Sequence, residues 1–214
     1  MSLLLDWPQA LTEAGVNVRT LNDWDKVQIS SGKPYNWREP DGEAAGMMHH
    51  HTATASYDPN RDKANAYAGL GREGTTRLYQ EDYGDYNMFP VFTIANAYPA
   101  PISSGYGVRA VLEQFVKANI PFTGRPGPDD DPKWAGNTHY INIEWILNGT
   151  GAWIDERVWD MMVTVCLVTN DLMSRSGHLW TPARHIGHGH HTGRKIDLYD
   201  GRDKSYDQTI QRLR

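Results

Sequence analysis

The most constraining stretch of the chain is residues 155–175. From Val158 to Val168 it is apolar nearly all round. A helix of that kind cannot sit in water and must be covered by other elements. Asp155 and Glu156 stand where the positive end of such a helix favours acids. The apolar run is too short for a membrane span, which needs about 18 or more such residues. The helix therefore needs a sheet or other helices to pack on. HYINIEWIL (139–147) supplies the clearest strand. Its alternation sends Ile141, Ile143, Trp145 and Leu147 one way, and Tyr140, Asn142, Glu144 and Ile146 the other.

Other elements are shorter. Residues 1–15 read as an amphipathic helix built on Leu3, Leu4, Leu5, Trp7 and Leu11, with Gly15 as its stop. Residues 20–45 read as irregular. AAGMMHHHTATA leads into a His-rich strand end. The stretch 57–88 reads as loop-rich, with a helix at 61–70. PVFTIANAY (90–98) alternates as a strand does. A helix runs from about Val108 to 120, and 121–137 is a long Pro/Gly/Asp loop. Residues 180–188 lead through another short strand into HIGHGHHTGRKID, and the tail ends in a helix. Irregular alternation of strands and helices predicts an α/β fold, a central mixed sheet flanked by helices.

At 214 residues the chain suits one domain with a core that needs no staple. We read 1–45 as a lead-in and 46–200 as the functional core. A net charge of −5 argues against broad phosphate-backbone binding, so no nucleic-acid partner is expected. No membrane partner is expected either, and the chain reads as a monomer. MSLLLDWPQA lacks the basic start of a secretory signal. The single Cys excludes an internal disulfide. Cys166 lies in the apolar helix and reads as a small buried hydrophobe.

The nine His are clustered. The triplet His49–His51 lies at a strand end, where His50 must point opposite to His49 and His51. A second cluster runs from His185 to Asp197. Catalytic zinc takes three ligands from His, carboxylate or thiolate, contributed by separate segments, and keeps one position open. Exposed loop His would have the same composition, so residue types alone leave both readings open.

Three segments in order, HHTA (50–53), INIEW (141–145) and IGHGHHTGRKID (186–197), resemble the zinc-dependent N-acetylmuramoyl-L-alanine amidases. That superfamily includes phage endolysins and peptidoglycan recognition proteins. The opening is most similar to actinobacteriophage endolysin amidase domains. The resemblance implies the peptidoglycan recognition protein-like fold. It also implies a Zn2+ ion held by His50, His188 and Asp197, with Glu144 as catalytic carboxylate and Lys195 beside the metal. His190 and His191 compete with His188 for the second ligand position. Asn142 stands where the family often has Gly, and Leu-Tyr-Asp follows Asp197 instead of Pro-Gly.

The implied reaction is cleavage of the amide between N-acetylmuramic acid and L-alanine in peptidoglycan. The implied setting is a lysin held in a host cytoplasm before lysis. Two rivals are a peptidoglycan-binding module without activity and a zinc endopeptidase acting on the stem peptide. His178 and His185 read as structural or ligand-orienting. Tyr57, Tyr83, Tyr86, Tyr106 and Trp134 are candidates for sugar contact, although core packing is the commoner use of aromatics.

Overall fold

In a computed structural model the described residues are 6–16, 18–20, 46–51, 76–80, 91–94, 116–121, 140–145, 154, 156–175, 177, 179–191, 198–200, 203 and 205–214. The elements, in chain order, are α1 (Trp7–Glu13), β1 (Val18–Thr20), β2 (Gly46–His51), β3 (Thr76–Gln80) and β4 (Val91–Ile94). They continue with β5 (Tyr140–Trp145), α2 (Glu156–Ser174), a 3-10 turn (Pro182–Arg184), β6 (His185–Gly187), α3 (His188–His191) and α4 (Tyr206–Gln211). The chain is thus mixed α/β. Its described strands pair in two sets of three, whose strands β4 and β5 lie close to one another. One is parallel, in the order β5-β2-β6, and the other is antiparallel, in the order β1-β3-β4.

The parallel sheet carries both His clusters. Its register pairs Met47 with Ile141, His49 with Ile143 and His50 with Glu144 on one side of β2. On the other side Met47 pairs with His185 and His49 with Gly187. Strand parity then sorts the residues. Met47, Ile141, Ile143 and Trp145 enter the main core with α1 and α2. Met48 and Ile186 join Tyr140 and Val116 in a smaller cluster. Every described side chain of β2 is buried, as expected for the central strand of a sheet covered on both faces.

α1 ends as its sequence predicts. Gly15 adopts φ +85°, and the Val16 N–H reaches back to the Leu11 carbonyl. Trp7 and Leu11 are buried, whereas Leu3–Leu5 lie outside the described residues.

α2 differs from expectation. The sequence predicts burial nearly all round from Val158 to Val168, yet among the described side chains burial is confined to one face, including Trp159, Met162, Val165, Cys166 and Thr169. Asp160, Leu167 and Asp171 face water. They recur at helical spacing, so two acids give that outer face its solubility while Leu167 stays 57% exposed. Two strands, β1 and β3, arise where an irregular lead-in and a loop were expected. The helix expected at 61–70 and most of the one expected at 108–120 lie outside the described residues.

Candidate metal centre

Parity along β2 sends His49 and His50 to opposite faces, and each meets a His from the 185–188 segment. On one face the Nδ1 atoms of His50 and His188 are 3.0 Å apart, both residues being buried. Their rings meet edge to face, with centroids 4.4 Å apart and planes at 67°. Two imidazole nitrogens this close either share a proton or share a cation. Zinc bonds of about 2.0–2.1 Å to each would suit the separation. Glu144 is the register partner of His50 on the neighbouring strand β5.

The bonds distinguish His190 from His188. His190 Nδ1 accepts the Gly187 N–H at 3.2 Å, and its Nε2 lies 2.9 Å from Asp207 Oδ1. Both of its ring nitrogens are thus engaged within the fold. Burial lowers the His190 pKa, with the Asp207 bond acting against it. His188 instead directs a nitrogen at His50. The side chain of His191 lies outside the described residues, as do Lys195, Asp197 and His178 and the aromatic candidates Tyr57, Tyr83, Tyr86, Tyr106 and Trp134.

The other face holds a second group that the sequence reading did not assemble. His49 Nε2 lies 3.0 Å from His185 Nδ1 and 3.9 Å from Cys166 Sγ. These three buried donor atoms lie within 4.8 Å of one another, a spacing compatible with a metal ion. Cys166 is buried as its apolar surroundings predict, but its sulfur borders this polar group. Burial pushes its thiol pKa up. Burial, followed by the Arg214 charge, pushes His185 down to about 3. Burial also holds His49 well below the ordinary imidazole range, assisted by His185, His50 and Arg214. Both His are therefore neutral near pH 7.

The surrounding bonds bear on whether these residues suit a metal. Trp145 Nε1 donates to His49 Nδ1 at 3.0 Å, with the two ring planes only 5° apart. An indole N–H is a donor only. His49 Nδ1 must therefore carry a lone pair, and the neutral ring holds its proton on Nε2. That is the atom that would have to bind the ion. Metal binding there would require the Trp145 bond to break or His49 to become an anion.

Leu198, the residue after Asp197 in sequence, is fully buried. Asp200, also fully buried, accepts from Trp159 Nε1 at 3.0 Å and Arg212 Nη1 at 3.1 Å. These bonds tie Asp200 to α2 and to the C-terminal turn. Compared with known proteins, the chain gives no significant match to any family model, curated protein or solved structure.

Proposed function

We propose that the protein is a zinc-dependent peptidoglycan hydrolase that cleaves the N-acetylmuramoyl-L-alanine amide, as a phage lysin does. The observation that carries this reading is the approach of His50 and His188, 138 residues apart in sequence, to 3.0 Å between ring nitrogens. Those are the two His that the resemblance to zinc amidases singles out. The pairing of position 144 with position 50 adds support, because it sets the proposed carboxylate on the strand next to the first ligand.

A zinc ion held by His50, His188 and Asp197 would supply Lewis acidity and a water acidic enough to attack an amide. Glu144 would take that water's proton and deliver it to the leaving amine. Lys195 would hold the negative charge that develops on the carbonyl oxygen. Peptidoglycan would be the partner, met after release from the host cytoplasm. Among the described residues no helix is long and apolar enough to cross a membrane.

The test is digestion of purified peptidoglycan, with zinc content measured alongside. The wild-type protein should bind one zinc and release new L-alanine amines. His50→Ala should lose the metal. Glu144→Gln should keep it and cleave at least about 100-fold more slowly, the low end for loss of a general base. New amines elsewhere in the stem would make the protein an endopeptidase, and binding without new ends would make it a recognition module.

A second reading places the metal at His49, Cys166 and His185, because those donor atoms are grouped. Cobalt substitution separates the two. A thiolate ligand gives a strong sulfur-to-metal charge-transfer absorption, which the His50/His188/Asp197 set cannot produce.

A further inference from the structure

A chain of hydrogen bonds crosses the parallel sheet beneath the candidate centre. Trp145 on β5 bonds His49 on β2 at 3.0 Å. His49 bonds His185 on β6 at 3.0 Å. His185 Nε2 then lies 2.9 Å from Asn170 Oδ1 on α2. The chain touches all three strands in their spatial order, β5-β2-β6, and ends on the helix that covers them. All four residues are buried.

Its polarity follows from its first bond. The indole can only donate, so His49 accepts on Nδ1 and carries its hydrogen on Nε2. His49 then donates to His185 Nδ1, which leaves the His185 hydrogen on Nε2. His185 in turn needs an acceptor, and Asn170 presents its carbonyl oxygen there. The Asn170 amide nitrogen is left buried with no hydrogen-bond partner among the described residues. A reversed amide would set an N–H against an N–H. One tautomer of each ring satisfies every link, and no other neutral arrangement does.

We infer that His49 and His185, oriented by Trp145 and Asn170, are positioning residues that set the metal-binding geometry of His50 and His188. The inference rests on the amidase reading above. His49 immediately precedes His50 and leaves β2 on the opposite face. His185 opens the strand that delivers His188. In register His49 faces Gly187, so its bond to His185 is a diagonal cross-strand link. That link holds β2 and β6 in the one alignment that brings the His50 and His188 nitrogens together. A slip of one residue would turn each pair to the wrong face. The geometry makes the chain a register lock with its output on the other side of the sheet.

The test measures the zinc dissociation constant by chelator competition on folded protein, together with the tautomers of His49 and His185 from imidazole nitrogen NMR. Trp145→Phe keeps an aromatic side chain and deletes the donor. Asn170→Leu keeps the volume and deletes the acceptor, and serves if the first variant does not fold. Removing groups that orient ligands typically costs about 10- to 100-fold in metal affinity. We expect a loss of about 10-fold in either variant, with both wild-type rings in the Nε2–H form.

Unchanged zinc affinity beside a lowered melting temperature would reduce the chain to a structural role and overturn the proposal. A His49 ring with its hydrogen on Nδ1 would overturn the assigned polarity. A wild-type protein that binds no zinc but shows both tautomers would remove the amidase reading, and the positioning role with it, while leaving the bond chain intact.

Discussion

Imidazole is informative at the residue scale because each ring nitrogen can serve only one purpose at a time. His190 uses both nitrogens inside the fold, and His49 and His185 use theirs in the cross-sheet chain. His185 also sets a pH dependence. Its folded pKa is about 3 against an ordinary 6.5, with burial first and Arg214 second as causes. Between those values the unfolded chain binds a proton that the folded chain refuses. Stability is therefore fully present above about pH 6.5 and falls as pH drops toward 3, by about 1.4 kcal/mol per pH unit for one such group. His49 acts in the same direction. Urea midpoints of metal-free protein between pH 4 and 7 should show this slope, and it should shrink in His185→Gln. A flat wild-type profile would contradict the buried neutral pair.

At the scale of elements, β2 begins where three segments converge. A Cβ on Gly46 would run into the Arg184 carbonyl oxygen and come within 2.7 Å of Val116 Cγ1. The carbonyl has little room to retreat. Arg184 is held by Asn119 Oδ1 at 3.0 Å and by the Lys117 carbonyl at 3.0 Å. Gly46→Ala should therefore overpack the entry of the central strand and cost about 1–3 kcal/mol. Denaturant unfolding should show a lower midpoint with an unchanged slope. A midpoint equal to wild type would mean that β2 and the 3-10 turn can separate freely.

At the scale of the whole molecule, Asp200 gathers distant parts of the chain. Its carboxylate accepts from Trp159 Nε1 and Arg212 Nη1, and Asp200 N–H donates to Thr209 Oγ1 at 3.1 Å. Arg212 also lies 4.2 Å over the Trp159 ring and bonds both oxygens of Glu156. The two carboxylates differ in environment. Asp200 is fully buried, whereas the Glu156 side chain is 66% exposed. Asp200→Ala should cost about 3 kcal/mol, because it strands buried donors. Glu156→Ala should cost less than about 1 kcal/mol, as exposed ion pairs do. The pair of urea titrations checks the contrast, and equal losses would refute it. Arg214 closes the same end by donating to the His185 carbonyl through Nε and Nη2 at 3.1 and 3.0 Å. The C-terminus is thereby tied to the strand that delivers His188.

Several features of this protein follow from sequence alone. Alternation in 141–145 separates Ile141, Ile143 and Trp145 from the other face, and they enter the core as expected. Gly15 ends α1, and the opposition of His50 to its two neighbours follows from strand parity. These are local properties, since they depend on side-chain period and backbone freedom within a few residues. The sorting of the His was not local. Parity alone says that His49 and His50 diverge, but not that His185 awaits one and His188 the other. That depends on β6 lying parallel to β2 in one register, a choice made by packing between segments more than 100 residues apart. The same packing brings Cys166 beside His49, and it covers one stripe of α2 where the sequence alone suggested burial on every side.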